Sequence, residues 1–260
     1  MEEIVDLVTQ QLASFELDKI DLDGRCILVT GAGDGIGRAV ALACARRGAH
    51  LLLMGRSEEK LNEVYDQIES QGNHNSIIFP LDRSLAEEKN YQEIADFIAE
   101  EKTALDGLIH CAGILGTLAP LAQCSIEEFE QVLRVNLTSN FLLTKACIPL
   151  LAQSKAGSVV FTSSSVGRKA RAFWGSYAVS KFGVEALSQI WADELFETHN
   201  IRVNSVNPGA TNTAMRRKAY PGETPSKNPE PDDITPIFLY LMSSLSETVN
   251  GQQLDAKVKN

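Results

Sequence analysis

The 260-residue sequence contains no Cys-x-x-Cys pair, and its five cysteines (Cys26, Cys44, Cys111, Cys124, Cys147) are odd in number. This excludes a disulfide scaffold and points to free thiols in a reducing compartment. The four histidines, His50, His74, His110 and His199, are scattered, so no His/Cys cluster offers a metal site. No apolar run approaches the ~18 residues that a membrane-spanning helix needs. The start, Met1-Glu-Glu-Ile, is acidic and does not read as a secretory signal. Positive charge is also short. Twenty-four Lys and Arg against 34 Asp and Glu leave a net charge of −10, the wrong sign for a nucleic-acid partner. There is no linker, repeat or low-complexity segment. What remains is 44% apolar and 22% charged, ordinary for a soluble cytoplasmic protein, and the length suits one α/β domain.

Two motifs stand out against this background. In Gly175-Ser-Tyr-Ala-Val-Ser-Lys181, Tyr177 and Lys181 are four residues apart at the start of a helical pattern. That spacing puts a phenol and an ammonium on one helix face, one turn apart. A fixed cation favours the phenolate, so Lys181 is expected to lower the Tyr177 pKa and the pair reads as an acid/base device. The second motif is Thr30-Gly-Ala-Gly-Asp-Gly-Ile-Gly37, between the apolar run Cys26–Thr30 and a helical pattern from Arg38. Strand, glycine turn and helix is the context of a dinucleotide fingerprint. Gly31 permits the tight turn. Gly35 lets a pyrophosphate approach the helix N-terminus, and Gly37 allows close packing of helix on strand.

These motifs, in this order, resemble the short-chain dehydrogenase/reductase family, in its single-domain branch with Thr-Gly-x-x-x-Gly-x-Gly and Tyr-x-x-x-Lys. The resemblance runs from about Asp21 to about Asp255. Within the family, Val160–Arg168 and Trp174–Tyr177 resemble the bacterial YciK-type oxidoreductases. The resemblance implies further site residues. Ser164, thirteen residues before Tyr177, matches the catalytic serine, and Asn136 the asparagine of a proton relay through Lys181. Gly31, Gly33, Asp34, Gly35, Ile36 and Gly37 match the cofactor loop. Asp82 matches the reader of the adenine amino group. Pro208, Gly209, Thr211 and Thr213 match the segment that holds the nicotinamide amide. One motif departs: where the family has Asn-Asn-Ala-Gly, this chain has His110-Cys-Ala-Gly113. Ala112 and Gly113 keep the close approach to the cofactor, but Cys111 cannot repeat the amide hydrogen bonds of asparagine.

Strands are expected at 26–30, 50–54, 75–81, 107–111, 158–163, 201–207 and 251–255, and helices at 35–47, 57–71, 87–101, 125–151, 175–199 and 233–245. Residues 3–15 show amphipathic helical spacing and form an extension (1–20) ahead of a single domain (21–260). This extension either docks on the domain or binds a partner. Alternating βαβ units imply a Rossmann-like, doubly wound parallel sheet of about seven strands. Ligands bind there beyond the carboxyl ends of the strands, where Gly31, Ala112, Ser164 and Pro208 all fall.

The implied activity is hydride transfer between a nicotinamide cofactor and a carbonyl or alcohol substrate. Tyr177 would give the proton, Ser164 orient the oxygen, and Lys181 hold the nicotinamide ribose. Met54-Gly-Arg-Ser57 lacks a carboxylate for a ribose 2′-hydroxyl and supplies Arg56, which favours NADP(H) over NAD. Asp34 stands against this, because related NADP enzymes often carry a basic residue there. Phe173, Trp174, Met215 and Tyr220 offer an apolar substrate lining. Arg168, Lys169 and Arg171, with Arg216, Arg217 and Lys218, are either anion-binding clusters or solvated loops. Apolar coverage of the helices at 125–151 and 175–199 is wider than one stripe, which predicts a homodimer or homotetramer. A catalytically silent nucleotide sensor on the same fold is the alternative, opposed by the intact Ser164, Tyr177, Lys181 and Asn136.

Overall fold

The computed structural model describes residues 20–72, 76–101 and 104–256. The expected helix at 3–15 and the expected strand start at residue 75 lie outside the described residues. β1 (Cys26–Thr30) is buried at every position, as a central parallel strand covered on both faces must be. Parallel to it run β2 (His50–Gly55), β3 (Ile77–Pro80), β4 (Gly107–His110), β5 (Gly157–Thr162), β6 (Ile201–Asn207) and β7 (Gln253–Asp255). The sheet order is β3-β2-β1-β4-β5-β6-β7, the doubly wound arrangement expected from the alternation.

Alternate strand residues feed two cores. Ile27, Val29, Leu51 and Leu53 pack with α1 (Gly35–Ala45), α2 (Glu58–Ser70) and the later helix Thr235–Met242. Leu28, Leu52, Val159 and Phe161 pack on the other face, with α3 (Glu88–Glu101) and the two long helical segments that follow. Ser57 caps α2 by accepting from the Lys60 N–H, as its sequence position predicts.

The helix expected over 125–151, capped by Ser125, runs unbroken from Ile126 to Leu151 but carries a π-helical turn. It comprises α4 (Ile126–Leu133), a π-helical turn (Arg134–Thr138) and α5 (Ser139–Leu151). A π turn adds a residue without disturbing the apolar pattern on either side, so periodicity does not reveal it. Asn136 sits in that turn. α6 (Gly175–His199) has the predicted bounds and ends at Asn200 in the left-handed region. α7 (Ala214–Ala219), capped by Thr213, was not expected. The helix expected over 233–245 is a 3-10 turn (Pro231–Ile234), then α8 (Thr235–Met242), then a second 3-10 turn (Ser244–Ser246). Among the described residues no helix is long and apolar enough to cross a membrane.

Candidate active site

The strand-to-helix turns at the carboxyl edge of the sheet enclose two adjoining cavities of about 340 and 350 Å3, which meet at Gly31, Asp34, Ala112 and Gly113. The first is lined by Ser164, Tyr177, Lys181, Cys111, Ile36 and the Pro208–Thr213 segment. The second is lined by Gly33, Arg56 and Asp82. Asn136 is fully buried behind Gly113 rather than in either wall.

Backbone makes the nucleotide end. Gly31 (φ 68°) and Gly35 (φ 50°) occupy the left-handed region. A Cβ on Gly31 would lie 2.9 Å from the Ala112 nitrogen, and one on Gly37 2.2 Å from the Gly31 oxygen. Thr30, absent from the sequence-based set, locks the loops together: its Oγ1 accepts from the N–H groups of Cys111 and Ala112, both at 3.1 Å. The Cys111 thiol accepts from Thr162 Oγ1 at 3.4 Å, and burial pushes it up to about 11, so it is a protonated thiol at neutral pH.

Asp34 caps α1 through the Gly35 N–H (2.7 Å), and its other oxygen pairs with Lys60 Nζ at 2.5 Å. That contact holds the carboxyl below its usual range. Lys60 was also missed. Asp82 Oδ1 accepts from the Ser84 hydroxyl and N–H, which lowers the Asp82 pKa.

Side chains make the other end. Tyr177 is 8% exposed and lines the first cavity with Ser164, whose Oγ accepts from the Val166 N–H at 3.4 Å. Burial pushes its phenol up to about 12, opposed by the neighbouring Ser164 hydroxyl. The expected lowering by Lys181 is not found. Lys181 Nζ donates to the Thr162 carbonyl at 2.7 Å and lies 5.6 Å from the Tyr177 ring centroid, so desolvation of the phenolate prevails. Burial likewise draws the Lys181 ammonium down to about 8.

Asn136 exchanges both amide hydrogen bonds with the Ile114 backbone, at 2.8 and 2.9 Å, and also donates to Ser180 Oγ at 3.0 Å. Its own carbonyl accepts from Asn140 at 2.7 Å. The asparagine thus ties the loop after β4 to α6.

Trp174, Met215 and Ala219 form an apolar wall beside Tyr177, and the Trp174 and Tyr220 rings are 6.0 Å apart. Phe173 is 58% exposed at a left-handed φ of 72° and lies outside the lining. In each of the two basic clusters one arginine is neutralised by neighbouring carboxylates. Arg168 bridges Glu185 (3.0 Å) and Asp255 (2.9 Å). Arg216 is held by both Glu223 oxygens at 2.7 Å and stacks 3.8 Å over the Tyr220 ring. Lys169, Arg171, Arg217 and Lys218 are exposed.

A parallel doubly wound sheet, a glycine cradle and a Ser–Tyr–Lys group on one cleft define a nucleotide-dependent oxidoreductase fold. The sequence pattern of the short chain dehydrogenases matches residues 25–224, and the chain belongs to that family of oxidoreductases. It is 46% identical to the uncharacterized oxidoreductase YciK of Escherichia coli K12 over 236 residues, 91% of this chain and 93% of that one. A short chain dehydrogenase from Pseudomonas syringae is 50% identical with a TM-score of 0.90, covering 92% of this chain and 96% of that chain. One from Shigella flexneri 2a, solved in complex with NADP, is 45% identical with a TM-score of 0.89, covering 92% and 99%. The resemblance to YciK-type enzymes drawn from residues 160–177 is borne out.

Proposed function

We propose that the protein reduces a carbonyl, or oxidises the corresponding alcohol, with NADP(H) in preference to NAD(H). The observation that carries this reading is the convergence of Ser164, Tyr177 and Lys181 on the cavity that the glycine loop opens into. The residues fit the dinucleotide. The N–H groups at the start of α1 suit its pyrophosphate, and Gly31 and Gly37, where a Cβ would strike backbone, keep the turn tight enough for that approach. On this reading Asp82 takes the adenine, Ala112, Gly113, Pro208, Gly209, Thr211 and Thr213 the nicotinamide half, and Arg56 a 2′-phosphate; all of them line the two cavities. The NADP bound by the Shigella relative supports that preference.

When bound, the cofactor supplies or accepts the hydride. Tyr177, neutral because burial holds its pKa near 12, keeps a proton at its phenolic oxygen and donates it to the substrate oxygen. Ser164, lining the same cavity, orients the same oxygen. Lys181 is anchored at the Thr162 carbonyl and replenishes the proton. Asn136 acts through others, holding the Ile114 loop and α6 in register. Trp174 and Met215 exclude water from the reacting centre.

The test is absorbance of the reduced nicotinamide across a panel of carbonyl compounds with NADPH and NADH. Turnover with NADPH supports the reading; a chain that binds the cofactor yet turns over no carbonyl or alcohol overturns it. The net charge of −10 supports a small-molecule rather than a nucleic-acid partner, and the composition supports a cytoplasmic location. Phe141, Phe182 and Ile190, 39–51% exposed on α5 and α6, support assembly as a dimer or tetramer through those helices. Light scattering is expected to give a multiple of 28.4 kDa; a concentration-independent mass at that value refutes assembly.

A further inference from the structure

The glycine loop carries a carboxylate at Asp34, where a 2′-phosphate would meet repulsion, and neither the end of β2 nor the next two residues, Arg56 and Ser57, supply the carboxylate a 2′-hydroxyl would need. The structure resolves this conflict. Asp34 is not a free charge. One oxygen caps Gly35 and the other is paired to Lys60 at 2.5 Å. Lys60 reaches it because its stem lies on Gly33, where an added Cβ would be 2.9 Å from the Lys60 Cβ. Arg56, Ser57, Lys60, Gly33 and Asp34 all line the 350 Å3 cavity. Among the described residues Arg56 makes no ion pair. The Asp34–Lys60 pair is 49–62% exposed, so water screens it and little holds it closed.

We propose that Lys60 is the second cation of a phosphate-monoester subsite it shares with Arg56, and that Asp34 holds Lys60 in readiness and surrenders it when the 2′-phosphate arrives. This deepens the NADP(H) reading and rests on it. A phosphate near neutral pH carries up to two negative charges and three acceptor oxygens. Arg56 alone matches half of that charge. Recruiting Lys60 completes the match and costs only an exposed ion pair. Asp34 keeps its hydrogen bond to Gly35 after the exchange, so the loop retains its shape. NADH has no phosphate to displace Asp34, so Lys60 stays paired and adds nothing to NADH affinity.

The experiment is equilibrium titration, by cofactor fluorescence, of the wild type, Arg56→Ala, Lys60→Ala, Asp34→Asn and the Asp34→Asn/Lys60→Ala double variant, each with NADPH and with NADH. Lys60→Ala is expected to weaken NADPH by about tenfold, the scale of one charge-assisted contact, and to leave NADH within about twofold of the wild type. Unchanged NADH binding also reports that the fold survives. Asp34→Asn still caps α1, removes the competitor, and is expected to tighten NADPH; the gain should vanish in the double variant. If wild type prefers NADPH and Arg56→Ala removes the preference while Lys60→Ala does not, the Lys60 proposal fails and the cofactor reading stands. Equal affinity of wild type for both nucleotides overturns the cofactor reading itself.

Discussion

The two ends of the cleft are built on opposite plans. At the nucleotide end the determinant is what side chains are absent: glycines whose Cβ atoms would strike backbone, and a loop tied by Thr30. At the carbonyl end the determinant is how side chains are paired. Lys181 is paired to a carbonyl, Arg168 to two carboxylates and Arg216 to one. Charge counting in the sequence treats all these cations alike. In the structure the carbonyl-end arginines Arg168 and Arg216 are neutralised by their neighbours, and Arg56 at the nucleotide end is left open. A basic cluster therefore indicates an anion site only after its internal partners have been subtracted.

The sharpest separation of the two plans is Tyr177→Phe. Loss of the phenolic proton donor is expected to reduce kcat by ~10²–10⁴, while NADPH affinity, set elsewhere, stays within about twofold of wild type. A variant that keeps more than about a tenth of wild-type kcat would break the assignment.

Next in size is Arg168→Ala. Arg168 joins the turn after Ser164 to α6 and β7, and its partner Glu185 is 4% exposed and also accepts from Ser205 at 2.6 Å. Removing the arginine leaves a buried carboxylate short of its cation. Breaking such a pair costs about 2–3 kcal/mol, at or below the low end for fully buried pairs because Arg168 is itself partly exposed. Urea denaturation should show that loss, with Arg216→Ala, at a more open pair, costing about 1 kcal/mol or less. Equal costs would erase the distinction between a clamp and a surface pair.

At the nucleotide end the matching experiment is Gly37→Ala. The new methyl would lie 2.2 Å from the Gly31 oxygen, so the turn must open. Overpacking of this kind costs about 1–3 kcal/mol. NADPH affinity should fall with it, which isothermal titration calorimetry would measure. Unchanged affinity would mean that the cradle does not depend on close helix–strand contact.

Legibility in the sequence follows the same division. β1, β6 and α6 have the predicted bounds because apolar runs with sharp glycine or asparagine limits define them. The glycine loop was readable for the same reason: a residue forced by missing space leaves its own mark. The π turn at Asn136 was not, since it falls between two runs with normal periodicity. Thr30 and Lys60 were missed because their roles come from partners 81 and 26 positions away, which no local pattern encodes. Arg168 and Arg216 were read as possible anion ligands because Glu185, Asp255 and Glu223 are close only after folding. The pKa of Tyr177 went the other way from expectation because spacing on a helix predicts proximity of charge but not burial.

The smallest expected effect uses that burial. In the cofactor-free protein Lys181 titrates near 8 instead of 10.5, so between those values the folded chain has released a proton that the unfolded chain keeps. The unfolded state then binds more protons, and stability rises with pH from about 8. The buried thiols act oppositely. Cys111 is pushed up to about 11, and Cys44 and Cys147 to about 12, from 9.0, so above pH 9 the folded state retains protons that the unfolded state loses, and stability falls. Tyr177, raised from 10.0 to about 12, adds to that fall. The lysine effect is therefore isolated between pH 7 and 9. Relative to Lys181→Met, the wild type is expected to gain about 1 kcal/mol across that interval, since one unit of pKa shift is worth ~1.4 kcal/mol. Urea midpoints of both proteins at pH 7 and 9, without cofactor, measure the difference. A parallel change in the two proteins would mean that Lys181 is hydrated enough to keep its ordinary pKa. The carbonyl end would then be open to water until the nucleotide closes it.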